Sequence, residues 1–445
     1  MSTHKSRRIC IGVRILIAVS IILAGFTNTP ILNFQNNSSV KTNFKEIIEV
    51  FLLIRDVKAS QEDKHGVKRE EFKRTDMSPK ISKNKSKSDI YSERGLSYMK
   101  KGEFSRAISE FKKAVAINPS ASDSYNNMGI AYLNEGEFES AKECFKKAIE
   151  LEPDGALLYN NLGFVYGLLG DFEKAESNFQ KAIQLDSTYV DVYINWANLL
   201  LSKKEFISSI EKCDKAISLD PKISESYSIK GACQIAMGNF EGALISFKEL
   251  LELDPNSAEG YCGLGQAYTF QARYKDALDA FEKSLELNPI FHETYVGLGN
   301  FYTQLREYDE TEKCYQRAIE IEPDYEEAYT GLAYVLLEKG ELDRVIQGCE
   351  ALLDINPHNL YAHLLLAQSY ERKQMFKKAK REYEEVLKLN PNHYNTHYAL
   401  GNYYYRIEPN KEKALFHLRK VLEIAPESEI ASLARKEIEE IIKTK

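Results

Sequence analysis

The 445-residue chain is short of the features that usually announce chemistry. Its seven cysteines include no CxxC pair and no regular framework of spacings, which sets aside a zinc knuckle, a redox dithiol and a disulfide scaffold. Six of them, Cys144, Cys213, Cys233, Cys262, Cys314 and Cys349, read as small buried hydrophobes. No glycine-rich phosphate loop, nucleophile elbow or paired-carboxylate motif stands in a supporting context, so neither a cofactor nor a catalytic centre is expected. Positive charge is scarce where most of the chain lies: residues 88 to 445 carry a net −16. That sign opposes the counterion displacement on which phosphate binding depends, and no nucleic-acid partner is expected. Long hydrophobic runs are missing too. The best, Ile15 to Phe26, is twelve uncharged residues. As helix it spans about 18 Å, against a hydrocarbon core of roughly 30 Å.

What the sequence has is periodicity. Tyrosines stand at 91, 125, 159, 193, 227, 261, 295 and 329, each 34 residues after the last. Four residues beyond each comes Gly or Ala (Gly95, Gly129, Gly163, Ala197, Gly231, Gly265, Gly299, Ala333), small enough to let two helices approach. Sixteen beyond lies a second, usually small residue, from Ala107 to Val345. Four further on an aromatic is usual: Phe111, Phe145, Phe179, Phe247, Phe281, Tyr315. Proline then closes most units, from Pro119 to Pro391, and ends a helix because it lacks a donor and restrains the residue before it.

Each unit reads as helix, turn, helix. Tyr125, Met128 and Tyr132 share one face of a first helix, and Ala141, Phe145 and Ala148 one face of a second. Gly102, Gly136, Gly170, Gly238 or Gly340 permits the reversal between them. Ten units run from near residue 88. The last two place His363 and His397 in the tyrosine slot, and the tenth gains one residue at IEPN before Pro426. Ile430, Leu433, Ala434, Ile438, Ile441 and Ile442 then mark an amphipathic capping helix over residues 428 to 445. The fourth unit departs most, with Trp196, Leu200, Lys204, Ser209 and Cys213 where Leu, Tyr, Gly, Ala and Phe are usual, and is expected to pack less well and to bend the array.

These residues resemble the tetratricopeptide repeat family, on segments such as YNNLGFVY…KAESNFQKAI and YVGLGNFY…EKCYQRAIEIEP, over residues 88 to 427. The resemblance implies an all-α, right-handed superhelical solenoid of about ten helix-turn-helix repeats whose first helices line a concave groove. Such arrays are stabilised by each repeat and its nearest neighbours. The groove suits extended peptides or partner helices better than small substrates.

With the tyrosine at position 4 of its unit, Asn127, Asn161 and Asn195 all fall at position 6, on one line along the groove. An amide offers two donors and an acceptor, so it can pair with peptide backbone without reading side chains. In members of the family, asparagines at this place hold an extended polypeptide, and the resemblance implies that role here. Position 9 adds Asn198, Gln266, Asn300, Gln368 and Asn402, a polar stripe; Asn198 and Asn300 join the expected protein-binding residues. Gly263, Gly297 and Gly331 occupy position 6 further along, where they are expected to relieve crowding beside bulky aromatics. Chaperone-adaptor members grip a terminal carboxylate with Lys and Arg at positions 2, 5 and 6. Position 2 here reads Asp89, Asp123, Asp191, Glu225, Glu259, Glu293 and Glu327 in seven units, the wrong sign for that clamp. Helix dipoles favour carboxylates there in any case. His358, His363, His393 and His397 come near one another in sequence, but two of them fill the tyrosine slot, and no metal is expected.

The N-terminus carries the localisation signal. Lys5, Arg7, Arg8 and Arg14 lead into ILIAVSIILAGF, an export pattern read as a signal peptide or an uncleaved membrane anchor over residues 1 to 30. The basic flank stays cytoplasmic, which puts the repeats outside, in the periplasm if the source is bacterial. FKEIIEVFLLI makes residues 31 to 57 a short amphipathic segment. Residues 58 to 87, with ten Lys/Arg against five Asp/Glu, read as a polar, basic tether. The expected function is a non-catalytic scaffold, exported or membrane-tethered, that binds other proteins or peptides in envelope, secretion or pilus assembly. The alternative is the recruiting arm of a separate enzyme such as a glycosyltransferase.

Overall fold

The computed structural model describes residues 85–443, and among these it holds twenty-one α-helices and no strand. The first five pairs are α1 (Lys87–Lys100) with α2 (Phe104–Ile117), α3 (Ser122–Asn134) with α4 (Phe138–Leu151), α5 (Ala156–Leu168) with α6 (Phe172–Leu185), α7 (Val190–Ser202) with α8 (Phe206–Leu219), and α9 (Ser224–Ala236) with α10 (Phe240–Leu253). The next five are α11 (Ala258–Phe270) with α12 (Tyr274–Leu287), α13 (His292–Leu305) with α14 (Tyr308–Ile321), α15 (Glu326–Lys339) with α16 (Leu342–Ile355), α17 (Leu360–Arg372) with α18 (Phe376–Leu389), and α19 (Tyr394–Arg406) with α20 (Lys411–Ile424). A single helix, α21 (Glu429–Lys443), follows. The chain is an all-α repeat solenoid.

Within each of the first nine repeats, from α1–α2 to α17–α18, the turn between the two helices passes through the left-handed region. Five use glycine, at φ 72 to 78°, and four use Lys204, Ala272, Arg306 and Gln374, at φ 57 to 62°. Each of those four carries a penalty of roughly 1–2 kcal/mol that glycine avoids. The recurring tyrosine ties its helix to the turn before it. Tyr193 donates its hydroxyl to the Ser187 carbonyl (3.0 Å), Tyr227 to Pro221 (3.4 Å) and Tyr295 to Pro289 (3.1 Å). His363 and His397 make the same bond through Nε2, to Pro357 (3.2 Å) and Pro391 (3.0 Å), which is why histidine can stand in that slot.

Packing rests on the aromatic of each second helix. A Cβ added at Gly95, Gly129, Gly163, Gly231, Gly265 or Gly299 would lie 2.5 to 2.9 Å from the Phe or Tyr of its own unit. Gly263, Gly297 and Gly331 meet the aromatic of the preceding unit, Phe247, Phe281 and Tyr315, at 2.3, 2.7 and 2.3 Å. These three glycines make room for a ring, as expected. In the fourth unit the looser packing expected at the core positions is not seen. Leu200, Ser209 and Cys213 are 3%, 0% and 0% exposed, and the space left by the missing ring is taken by Ile229 of the next unit, packed in the same core. The eighth unit repeats the exchange, Cys349 packing with Leu365. Volume is conserved across the repeat boundary instead of within the repeat.

First helices of neighbouring units approach one another along most of the array, whereas neighbouring second helices do not pack together comparably. The array therefore curves with its first helices inside. At the far end α21 lies along α19, where an eleventh first helix would be. It buries Ala431, Ala434 and Ile441; Leu433 and Ile442, expected on that face, are 45% and 57% exposed. The small alanines set the closest approach and turn the bulkier residues outward. Glu437, 8% exposed, clasps the cap by accepting from Tyr398 Oη (3.1 Å), Arg406 Nη2 (3.2 Å) and the Asn402 amide (2.9 Å). No helix among the described residues is long and apolar enough to cross a membrane. The signal or anchor, the amphipathic segment and nearly all of the tether lie outside the described residues.

A helical Gly→Ala change normally stabilises by about 1 kcal/mol. At Gly263 the new methyl meets the Phe247 ring, and overpacking of roughly 1–3 kcal/mol wins. Gly263→Ala should lower the melting temperature, whereas Gly348→Ala, with open space at its Cβ, should raise it. Transplanting the neighbouring solution, Phe247→Cys with Gly263→Ile and Gly231→Ala, should recover most of the loss.

Candidate protein-binding groove

The inner face is built from α1, α3, α5 and each later first helix. Along α3, α5 and α7 the paired asparagines interlock. Asn161 donates through Nδ2 to Asn126 Oδ1 (2.9 Å), and Asn195 donates to Asn160 Oδ1 (3.0 Å). The acceptors are buried, at 6% and 3% exposure, while the position-6 donors are half-buried. Each donor spends one N–H on the neighbouring repeat and keeps its carbonyl and second N–H. Asn127 is also half-buried, on the same line, one unit earlier.

Reading the sequence picked out the second asparagine of each pair and missed the first. The signal was present, since YNN recurs at an interval of 34, which places position 6 of one unit 35 residues from position 5 of the unit before it. Three of the position-9 residues are drawn into the chain's own contacts. Asn300 Oδ1 accepts from Tyr315 Oη (2.6 Å), Asn402 holds Glu437, and Gln266 Nε2 lies 3.7 Å from Cys262 Sγ. Asn198 Oδ1 is enclosed with no hydrogen-bond partner, and so is Nε1 of Trp196 on the same helix. Lys212 Nζ sits 4.1 Å over the Trp196 ring, a cation–π contact of about 0.5–2 kcal/mol.

The histidines do not form a cluster of the kind a metal needs, and among the described residues no three His, Cys, Asp or Glu converge on one point. His397 Nδ1 lies 2.9 Å from His417 Nδ1. Because the Pro391 carbonyl takes the Nε2 proton of His397, its Nδ1 is the acceptor and His417 donates. Burial pushes His417 down to about 4 and His397 below its usual value, with Lys413 and Lys420 adding repulsion. Burial pushes the Cys144 and Cys233 thiols up to about 11, as inert packing residues.

A double-mutant cycle tests the asparagine bond. Asn195→Ala and Asn160→Ala, singly and together, should show a coupling of about 1 kcal/mol in chemical denaturation. The His397–His417 pair predicts acid sensitivity. Both histidines are held neutral in the fold, so their contribution is complete above about pH 6.5 and is lost as pH falls towards 4, where the unfolded chain takes up protons first. His417→Gln should flatten the fall in melting temperature between pH 7 and 4.5.

Family models described as "Tetratricopeptide repeat" match residues 122–154, 156–189, 258–291, 292–325, 314–347 and 360–393, and one described as "TPR repeat" matches 95–136 and 235–269. No curated protein matches the chain. Among solved structures, a human IFIT1 dimer with m7Gppp-AAAA is 14% identical, covering 72% of this chain and 81% of its own, with a TM-score of 0.52. Yeast Tom70 is 16% identical over 80% of this chain and 95% of its own, at 0.47. A repeat protein from Parabacteroides merdae is 16% identical over 56% and 98%, at 0.49. At 14% identity the likeness to the IFIT1 structure is one of fold alone.

Proposed function

This chain belongs to the tetratricopeptide repeat family, and from that premise we propose that it is a non-catalytic scaffold whose groove holds an extended segment of another protein. The observation that carries the reading is the fixed row at Asn161 and Asn195. Each amide is oriented by the neighbouring repeat and keeps a donor and an acceptor for a guest. An extended backbone presents the same pair of groups at regular intervals, so amides set one repeat apart can hold it whatever its side chains. The basic-then-apolar N-terminus supports export or membrane tethering, with the repeats on the non-cytoplasmic side and a role in assembling envelope, secretion or pilus components. Fractionation of the full chain beside a form lacking residues 1 to 30 tests that placement; identical distribution would remove it.

Immobilised arrays of twelve-residue peptides test the groove. The full chain should capture a set of unrelated sequences. Replacing Asn127, Asn161 and Asn195 together with alanine should weaken capture at least tenfold while leaving the circular dichroism unchanged. Equal capture by both proteins would overturn the asparagine row as the binding element.

A further inference from the structure

Every later first helix packs against the second helix of the unit before it, and α1 has no such neighbour among the described residues. The consequence shows at single positions. Position 3 is 0 to 5% exposed at Ser124, Leu158, Val192, Thr294, Ala328 and Thr396, whereas Ile90 of α1 is 39% exposed. Arg94 and Ser97, at positions 7 and 10, are exposed where Met128 and Ala131 are buried. With Tyr98, Lys101 and Glu110 they line an open cleft of about 240 Å³ along that face.

Across interior boundaries position 3 meets position 27 of the preceding second helix. Ser284 and Thr294 share a hydrogen bond there (2.6 Å), and a Cβ added at Gly260 would lie 2.6 Å from a Leu250 methyl. Filling the α1 face therefore calls for an apolar residue at position 27 of one more second helix, with the rest of that helix's pattern around it. The sequence holds such a segment. FKEIIEVFLLI, residues 44 to 54 and outside the described residues, carries Phe44, Ile48, Phe51 and Ile54 at the spacing that α2 gives to Phe104, Ile108, Phe111 and Ala114. Helix α10 has Phe240, Leu244, Phe247 and Leu250 at the same offsets. Ile47 falls at position 20, where Ala107 and Ala243 are 0% exposed; a second helix that lacks its own first helix has room for the larger side chain.

We propose that residues 44 to 54 form a lone second helix that packs on α1 and closes the first boundary of the array, with Ile54 against Ile90. The connection is long, since Ile54 precedes Ile90 by 36 residues where Ser284 precedes Thr294 by 10. Loop-closure entropy grows only with the logarithm of length, so the extra residues are a minor obstacle. Nor does Arg94 bar the contact: Lys230 holds position 7 of the fifth unit, half-buried and bonded to Asp214 of the preceding second helix (2.6 Å). The array is then closed by a single helix at each end, as the outermost faces of stacked repeats require. Residues 58 to 87 become a loop, and the reach of the groove from the proposed N-terminal anchor is set by the residues before Phe44. Neither the closure nor its test depends on what the groove holds.

Two measurements on the full chain test it. In a Cys10→Ser background, Ile54→Cys with Ile90→Cys should form an intramolecular disulfide under mild oxidation at least tenfold faster than Leu53→Cys with Ile90→Cys. Leu53 falls at position 26, which faces solvent at Lys113 and Lys147. Equal rates in the two pairs would overturn the proposal, and so would disulfide-linked dimers, which would give the face to a second copy of the chain. Separately, Phe51→Asp should speed hydrogen exchange of the α1 amides at least tenfold and leave those of α11 unchanged. Unaltered exchange in α1 would also overturn the proposal, and would leave the segment to a membrane surface.

Discussion

The structure depends on one contact, a flat ring gripped between two first helices. Phe247 touches the bare Cα face of Gly231 in its own unit and of Gly263 in the next; Phe281 lies likewise between Gly265 and Gly297, and Tyr315 between Gly299 and Gly331. A ring held that way fixes the approach within a repeat and the approach between repeats at once. Because the contact is made wholly with nearest neighbours, stability accumulates along the chain and no single core organises it. Where the ring is missing, an aliphatic from the following unit fills its place, as Ile229 does beside Cys213 and Leu365 beside Cys349. The invariant is filled space at the boundary, and residue identity is secondary to it.

That contact also explains the groove. Drawing first helices together while second helices stay apart curves the array and turns the first helices inward. Position 6, which must clear the neighbouring ring, therefore faces both the packing boundary and the inner surface. Glycine solves the packing alone in the sixth to eighth units. Asparagine in the third and fourth solves it while bonding back to the repeat before. A residue recruited for packing is thereby held rigid where a guest would lie, and such prior ordering lowers the entropic cost of binding.

The interval of 34 made the fold legible: turn glycines, ring positions and prolines all recur in register, and local pattern and tertiary contact agree because each contact joins adjacent units. The extra residue at IEPN and the histidines in the tyrosine slot were readable for the same reason. Contacts whose two ends do not repeat were hidden. Nothing in Glu437 announces that it would be buried against Tyr398, Arg406 and Asn402, because the capping helix appears once and has no series to be compared with. Leu433 and Ile442 were misplaced for that reason too; a hydrophobic face predicted from spacing shifts when two small alanines allow a closer crossing. Asn126 and Asn160 were passed over since a row read along one position does not reveal bonds running diagonally between positions.

The cap shows how differently the array is closed. Interior boundaries bury rings and aliphatics, and burial of that kind is insensitive to charge. The boundary between α19 and α21 instead places a carboxylate at its centre, where burial raises the pKa of Glu437 while Tyr398, Arg406 and Asn402 draw it back. A buried carboxylate earns its place through the geometry it imposes rather than through net stabilisation, since an apolar residue of similar size would often serve as well. What it supplies here is direction. Three donors at fixed points on α19 admit one orientation of α21, so the last helix ends the series in a set register with its charged face to solvent.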